Sequence, residues 1–267
     1  MSPKILVITG YGINCEEEIA YVFNKVDGQA EIVHINDLID GHKKMNDYQI
    51  LAIPGGFSYG DDTGAGNALS NRIRNHLNEQ ILAFAKEDKL AIGICNGFQM
   101  ITNLGLVPAT KNQYGKREVV LMWNSTARYE CRWVHVKNTS SKCIWTKGID
   151  TMFLPIAHGE GNFYAEPEIL NEMRNNDQVV FKYIKEDGTP ANNEFPYNPN
   201  GALEDIAAIT DPSGRLFGLM PHPERYHSFI NHPTWTLEKD RLAREGKEIP
   251  KEGEGLKIFR NAVEYFK

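Results

Sequence analysis

The chain has 267 residues, 41% of them hydrophobic and 24% charged, which suits a soluble globular protein with a core of its own. A formal net charge of −6 with no dense basic run argues against a nucleic-acid partner. No apolar run approaches the roughly 20 residues that span a bilayer, and Met1-Ser2-Pro3-Lys4 ahead of Ile5–Ile8 lacks the apolar core and cleavage site of a signal peptide.

In chain order, Lys4–Gly10 reads as a buried strand, and Asn14 is placed to cap a helix carrying Ile19, Ala20, Val22, Phe23 and Val26. Ala30–Ile35 and Tyr48–Ile53 are the next strands, the latter running into Pro54-Gly55-Gly56. Asn67 is placed to cap a long helix with Leu69, Ile73, Leu77, Ile81, Phe84 and Ala85 at three- and four-residue steps. Leu90–Ile94 is a fourth strand, followed by a helical pattern. Alternating units with continuous apolar strands predict an α/β fold: an open, mostly parallel sheet with helices on both faces and its site at the carboxyl ends of the strands. Beyond the first hundred residues the character changes. Glu118–Trp123 and Tyr129–Val136 alternate like a hairpin or meander, predicting a small antiparallel subsheet. Met152–Ile156, Val179–Ile184, Ile206–Thr210 and Leu216–Met220 are further short strands. The absence of repeats and linker tracts predicts one domain over 1–267. Its polar, charged stretch from about 232 to 255 reads as a solvated extension or a docking segment, ahead of a short helix over Leu256–Phe266.

Four cysteines, Cys15, Cys95, Cys131 and Cys143, without CxxC spacing predict a reduced, cytoplasmic protein with no structural metal. Among them Cys95 stands apart. It ends the apolar run Leu90–Ile94, has a glycine two residues to either side, and precedes a helix, the pattern of a strand–nucleophile–helix elbow. Such a turn lifts a thiol off the end of a sheet to a helix N-terminus, where free N–H groups and the dipole favour a thiolate. Downstream, Pro221 and Pro223 hold Met220-Pro221-His222-Pro223-Glu224 extended, so His222 and Glu224 converge on one side. Alone this reads as a surface turn. Beside the elbow it supplies a base and its orienting carboxylate. Gly55 and Gly56, after a strand, let the backbone approach a ligand. One of their N–H groups with that of Asn96 suits an oxyanion hole, although an ordinary strand-to-helix turn accounts for the glycines equally well. Cys15 follows a glycine-rich loop that admits a place near the site, with a structural role the favoured reading.

Gly93-Ile94-Cys95-Asn96-Gly97-Phe98-Gln99 with the distant His222-Pro223-Glu224 resembles the class I (triad) glutamine amidotransferases. Gly55–Asp61, Cys131–Val134, Ala157-His158-Gly159-Glu160-Gly161 and Asn198–Gly201 are similar to one branch of them, the glutaminase subunits of phosphoribosylformylglycinamidine synthase. The resemblance runs from residue 5 to about 227. It implies a flavodoxin-like fold in which the Cys95 thiolate attacks L-glutamine, His222 serves as base and then acid, and Glu224 orients His222. A γ-glutamyl thioester is hydrolysed, and ammonia passes to a separate synthetase subunit, with a small third subunit as a further partner. ATP and Mg belong to the synthetase, because this chain has no GxxxxGK[ST] phosphate loop and is expected to bind no cofactor. Phe57, Gln99, His158 and Glu160 are the candidate glutamine contacts; His158 and Glu160 serve equally well at a partner interface or an ammonia exit. Another class I amidotransferase subunit, a different α/β cysteine protein and a catalytically silent interaction module are the competing readings.

Overall fold

A computed structural model describes residues 2–267. Strand β1 (Lys4–Thr9), helix α1 (Glu16–Lys25), β2 (Gln29–His34), α2 (Ile35–Ile39), β3 (Ile50–Ile53), α3 (Asn67–Lys86), β4 (Leu90–Ile94) and α4 (Asn96–Asn103) form the first half. Then come β5 (Val119–Met122), β6 (Glu130–Asn138), β7 (Thr151–His158), β8 (Asn162–Ala165), α5 (Pro167–Asn175), β9 (Val179–Ile184), β10 (Ile206–Thr210), β11 (Leu216–Leu219), α6 (Trp235–Arg244) and α7 (Leu256–Glu264).

One nine-stranded sheet has the order β2-β1-β3-β4-β11-β10-β9-β6-β7. Its first five strands are parallel, and their central members are buried on both sides, which is why they read as unbroken apolar runs. The chain moves outward from β1 to β2 and inward again from β3 to β4. Right-handed crossovers therefore put α1 and α3 on opposite faces. Helix α7 joins α1, with Phe259 edge-on to Phe23 at 5.0 Å between ring centroids. The remaining strands of this sheet run antiparallel, and β5 and β8 form a separate two-stranded antiparallel sheet.

Several local expectations shift. Helix α1 is entered through Cys15 rather than Asn14, because the Asn14 N–H is drawn across to the Gly55 carbonyl at 3.3 Å. Gly66, with φ +71°, occupies the cap position of α3, and Asn67 is already helical. The expected hairpin of 118–123 with 129–136 does not form. β5 pairs with β8, while β6 joins the large sheet between β9 and β7. Alternation specifies a half-buried strand but carries no information on its partner. The C-terminal stretch divides: α6 buries no residue, in keeping with a solvated face, whereas Gly253 and Gly255 lie against Tyr226 and Pro223.

The parallel strands put the loops after β1, β3, β4 and β11 along one edge. Close packing there depends on Gly97, since a Cβ on it would sit 1.9 Å from the Ile53 carbonyl oxygen, on backbone that cannot yield. Gly97→Ala is expected to destabilise the fold by about 3 kcal/mol, the upper end of overpacking costs. The urea midpoint should fall with its slope unchanged, and an unchanged midpoint would show that the α4–β3 contact is looser than described.

Candidate active site

Cys95 follows β4 directly and has φ +53°, ψ −109°, a conformation that costs a non-glycine residue roughly 1–3 kcal/mol. It is held there from both sides. Its N–H donates to the Leu219 carbonyl at 2.8 Å, and its carbonyl accepts from Phe98 and Gln99 N–H at 2.9 and 3.1 Å. The Leu219 bond follows from register: Leu219 pairs with Ile94, so β4 and β11 end side by side and the next residues of each meet. That adjacency brings Met220–Glu224 to Cys95. The His222 N–H is then fixed by the Pro155 carbonyl of β7 at 2.8 Å.

His222 Nδ1 and Glu224 Oε1 are 2.5 Å apart, and both side chains are almost wholly buried. Burial alone would lower the His222 pKa, but the Glu224 carboxylate and the neighbouring Cys95 reverse this and raise it to about 10. His222 Nε2 and Glu224 Oε2 are buried without a hydrogen-bond partner. Cys95 Sγ donates to the Ala157 carbonyl at 3.6 Å, while its closeness to His222 is among the causes of the raised His222 pKa. A methyl placed on Gly55 would lie 2.9 Å from His222 Cε1 and 3.5 Å from Cys95 Cβ, so the two side chains close over the bare backbone of Gly55.

Cys95 opens into a cavity of about 460 Å³ whose wall includes Gly56, Phe57, Gln99, His158 and Glu160. The sequence-predicted residues therefore converge, but in different capacities. Asn96, at the first position of α4, has no intrahelical partner for its N–H. Gly56 lies in the cavity wall, and its N–H makes no backbone hydrogen bond among the described residues. Its φ of +151° and the Gly12 carbonyl, 2.5 Å from where a Cβ would be, admit only glycine. Gly55 instead faces the His222–Cys95 contact, so Gly56 is the better donor of the two.

Gln99 is committed to the scaffold. Its Nε2 donates to the Glu160 carbonyl at 2.6 Å and its Oε1 accepts from Asn96 Nδ2 at 2.8 Å. Glu160 Oε2 accepts the Ala65 N–H at 3.1 Å, tying the 58–66 loop to the end of β7. His158 is buried and bonded through Nδ1 to Asn124 Oδ1 at 3.1 Å. Burial, and next His222, pull its pKa down to about 3, so it is neutral. Phe57 is half exposed and faces Tyr129 across the cavity mouth.

Residues that sequence reasoning passed over complete the wall. Asp61 accepts from Asn96 Nδ2 at 3.1 Å, and burial raises its pKa. Trp123, Arg128 and Tyr129 arrive from the loop between β5 and β6. Cys15 lies beside the His222–Glu224 pair, held by Arg225 Nη2 at 3.1 Å. The motif Gly55–Asp61 already contained Asp61. The glycine-containing loop before Cys15 is a weak signal for a place near the site, outweighed by a structural reading; no local signal points to Arg128, which reaches the site only through the fold.

The C-terminal segment braces the site from behind. Gly255 N–H donates to the Tyr226 carbonyl at 3.0 Å, and a Cβ on Gly255 would meet the Pro223 carbonyl oxygen at 1.9 Å. Gly255→Ala should displace the 222–224 turn and lower kcat for glutamine hydrolysis by about 10-fold or more, with KM little changed. An unaltered kcat would remove this segment from the support of the site.

Known proteins resemble this chain along nearly its whole length. Residues 2–266 match the model of the CobB/CobQ-like glutamine amidotransferase domain. A Methanococcus maripaludis protein named phosphoribosylformylglycinamidine synthase subunit PurQ is 54% identical over 265 residues, covering 99% of this chain and 97% of its own. Its Dehalococcoides mccartyi namesake is 43% identical, covering 98% and 97%. Among solved structures, the PurLQS structure from Thermotoga maritima superposes with a TM-score of 0.73 at 26% identity over the whole of both chains. The chain belongs to the CobB/CobQ-like glutamine amidotransferase family.

Proposed function

We propose that this chain is the glutaminase subunit of phosphoribosylformylglycinamidine synthase, hydrolysing L-glutamine and passing ammonia to a separate ATP-dependent synthetase in the cytoplasm. The observation that carries the reading is a strained Cys95 opening into an amino-acid-sized cavity with the buried His222–Glu224 pair at its back. Cys95 Sγ attacks the side-chain amide carbon. The developing oxyanion is met by the N–H groups of Gly56 and Asn96. His222 protonates the departing ammonia, and Glu224 fixes its ring and stabilises the imidazolium. Water, deprotonated by His222, then releases glutamate from the γ-glutamyl thioester.

The cavity's charged groups suit a zwitterion. Arg128 is placed for the α-carboxylate, and the acids Asp61, Asp62 and Glu160 for the α-ammonium. Gln99 supports this wall rather than touching the substrate, since both its polar atoms are engaged with Glu160 and Asn96, whereas His158, bonded to Asn124 through Nδ1, keeps a buried Nε2 without a partner. The synthetase partner is supported by the relatives' names and the PurLQS neighbour, and ATP and Mg are proposed to act on that other chain. A small third subunit belongs to the same assembly.

Acid-quenched mixtures of the chain, a PurL-type synthetase and glutamine provide the test. Peptide mass spectrometry should find a glutamyl adduct on Cys95, and glutamate should be released. An adduct on another residue, or no glutamate with the synthetase, its substrate and ATP present, would refute the assignment.

A further inference from the structure

The buried thiol of Cys15 has no part in the reaction just described, yet it lies in the site. Cys15 Sγ, a ring nitrogen of His222 and a carboxylate oxygen of Glu224 all lie within 4.8 Å of one another, and each residue is almost wholly buried. One sulfur, one nitrogen and one oxygen from three side chains is the donor set of a zinc site with an open fourth position. Two of the three side chains keep an atom free: His222 Nε2 and Glu224 Oε2 are buried without any hydrogen-bond partner.

The place already holds a positive charge. Arg225 Nη2 donates to Cys15 Sγ at 3.1 Å, and Arg225 Nε is 3.9 Å from Glu224 Oε1. About a third of the Arg225 side chain is exposed, and the same Nε stands 3.8 Å from Oε1 of Glu18, which is itself exposed. The guanidinium can therefore swing outward onto Glu18 and leave its position to another cation, so that the cluster's negative charge stays compensated.

We propose that Cys15, His222 and Glu224 form an inhibitory binding site for a thiophilic divalent cation, with Zn²⁺ as the ligand. On binding, the Cys15 thiol loses its proton to solvent and the sulfur bonds the metal. The imidazole supplies a lone pair, releasing its proton if it carries one, and a Glu224 oxygen completes the protein ligands. Metal on Nε2 removes the base, and metal on Nδ1 breaks the bond that Glu224 makes to the ring. Both leave Cys95 without its partner. This consequence for activity rests on the glutaminase reading; the site itself does not. Because the metal displaces the Cys15 proton, binding should tighten as pH rises.

The test is metal binding to the full chain, read without any activity assay. In a Cys131→Ser background, which removes the exposed thiol, Zn²⁺ is titrated against a competing chelator, and Co²⁺ is used to report a sulfur-to-metal charge-transfer band. One equivalent is expected. Cys15→Ser should weaken it at least about 10-fold and abolish the band, Glu224→Gln should weaken it similarly, and Cys95→Ala should leave it within about 3-fold. Absence of a stoichiometric site overturns the proposal. So does binding that is lost in Cys95→Ala and kept in Cys15→Ser, which would place the metal on the nucleophile.

Discussion

Replacing Cys95 with alanine is expected to lower glutamate release from glutamine by at least about 10⁴-fold, while ammonia-driven turnover of the assembled synthetase continues. The asymmetry follows from the site. Cys95 is the only thiol in the wall of the 460 Å³ cavity, so no other sulfur can inherit the attack. Cys15 is close to His222 but lies behind it, fixed by Arg225 and by its contact with Asn14 Oδ1 at 3.2 Å, and burial keeps it protonated. The backbone bonds that hold the elbow involve the Cys95 N–H and carbonyl, not the sulfur, so the variant should fold and still bind glutamine. Its thermal midpoint should stay within a few degrees of the parent. Cys15→Ser, the matched control, should retain most glutaminase activity. Substantial hydrolysis by Cys95→Ala, measured with the synthetase present, would mean that the chemistry is not nucleophilic catalysis by this residue.

The parts of this site visible in the sequence are those whose geometry is made locally. Cys95 announces itself because Gly97 packs on Ile53 and Gly93 on Gly97, within a few residues of the elbow. His222 and Glu224 announce themselves because two prolines fix the chain between them. Strands β1, β3 and β4 are equally plain, since burial on both faces writes an apolar run into each. What could not be read depends on contacts between distant segments. Strand β5 finds β8 across forty residues, in a sheet separate from the one that β6 joins. Gln99 looks like a substrate ligand by type and position, but the carbonyl of Glu160 reaches it first. Cys15 becomes part of the site because β1 and β11 end on the same edge, a fact of topology rather than of motif. Arg128 enters the cavity on a loop whose course depends on that same unreadable pairing of β5.

Glu224→Gln is expected to lower kcat for glutamine hydrolysis by about 10³–10⁴-fold and to reverse the pH dependence of stability near neutrality. The two effects have one origin. Burial disfavours a charged His222, and the Glu224 carboxylate at 2.5 Å, with Cys95 nearby, outweighs it, leaving the pKa raised to about 10. An unfolded histidine titrates near ~6.5. Between those limits the native state holds a proton that the unfolded chain has released. The stabilisation is therefore complete below pH ~6.5 and is lost as pH rises through about 10. In the variant the attraction is gone while burial persists, so the His222 pKa falls. Once it lies below the unfolded value, the unfolded chain binds more protons and stability rises with pH instead. Catalysis suffers because an amide can donate to Nδ1 as readily as accept from it. It no longer selects the tautomer that leaves Nε2 free as a base, and it cannot stabilise the imidazolium that protonates ammonia. Urea unfolding at a series of pH values from 6 to 9, alongside kcat on the assembled complex, separates the two. A variant with the parent's pH slope would show that Glu224 does not hold the proton on His222. A variant within 10-fold of the parent's kcat would show that the carboxylate is structural, leaving Cys95 and His222 as a dyad.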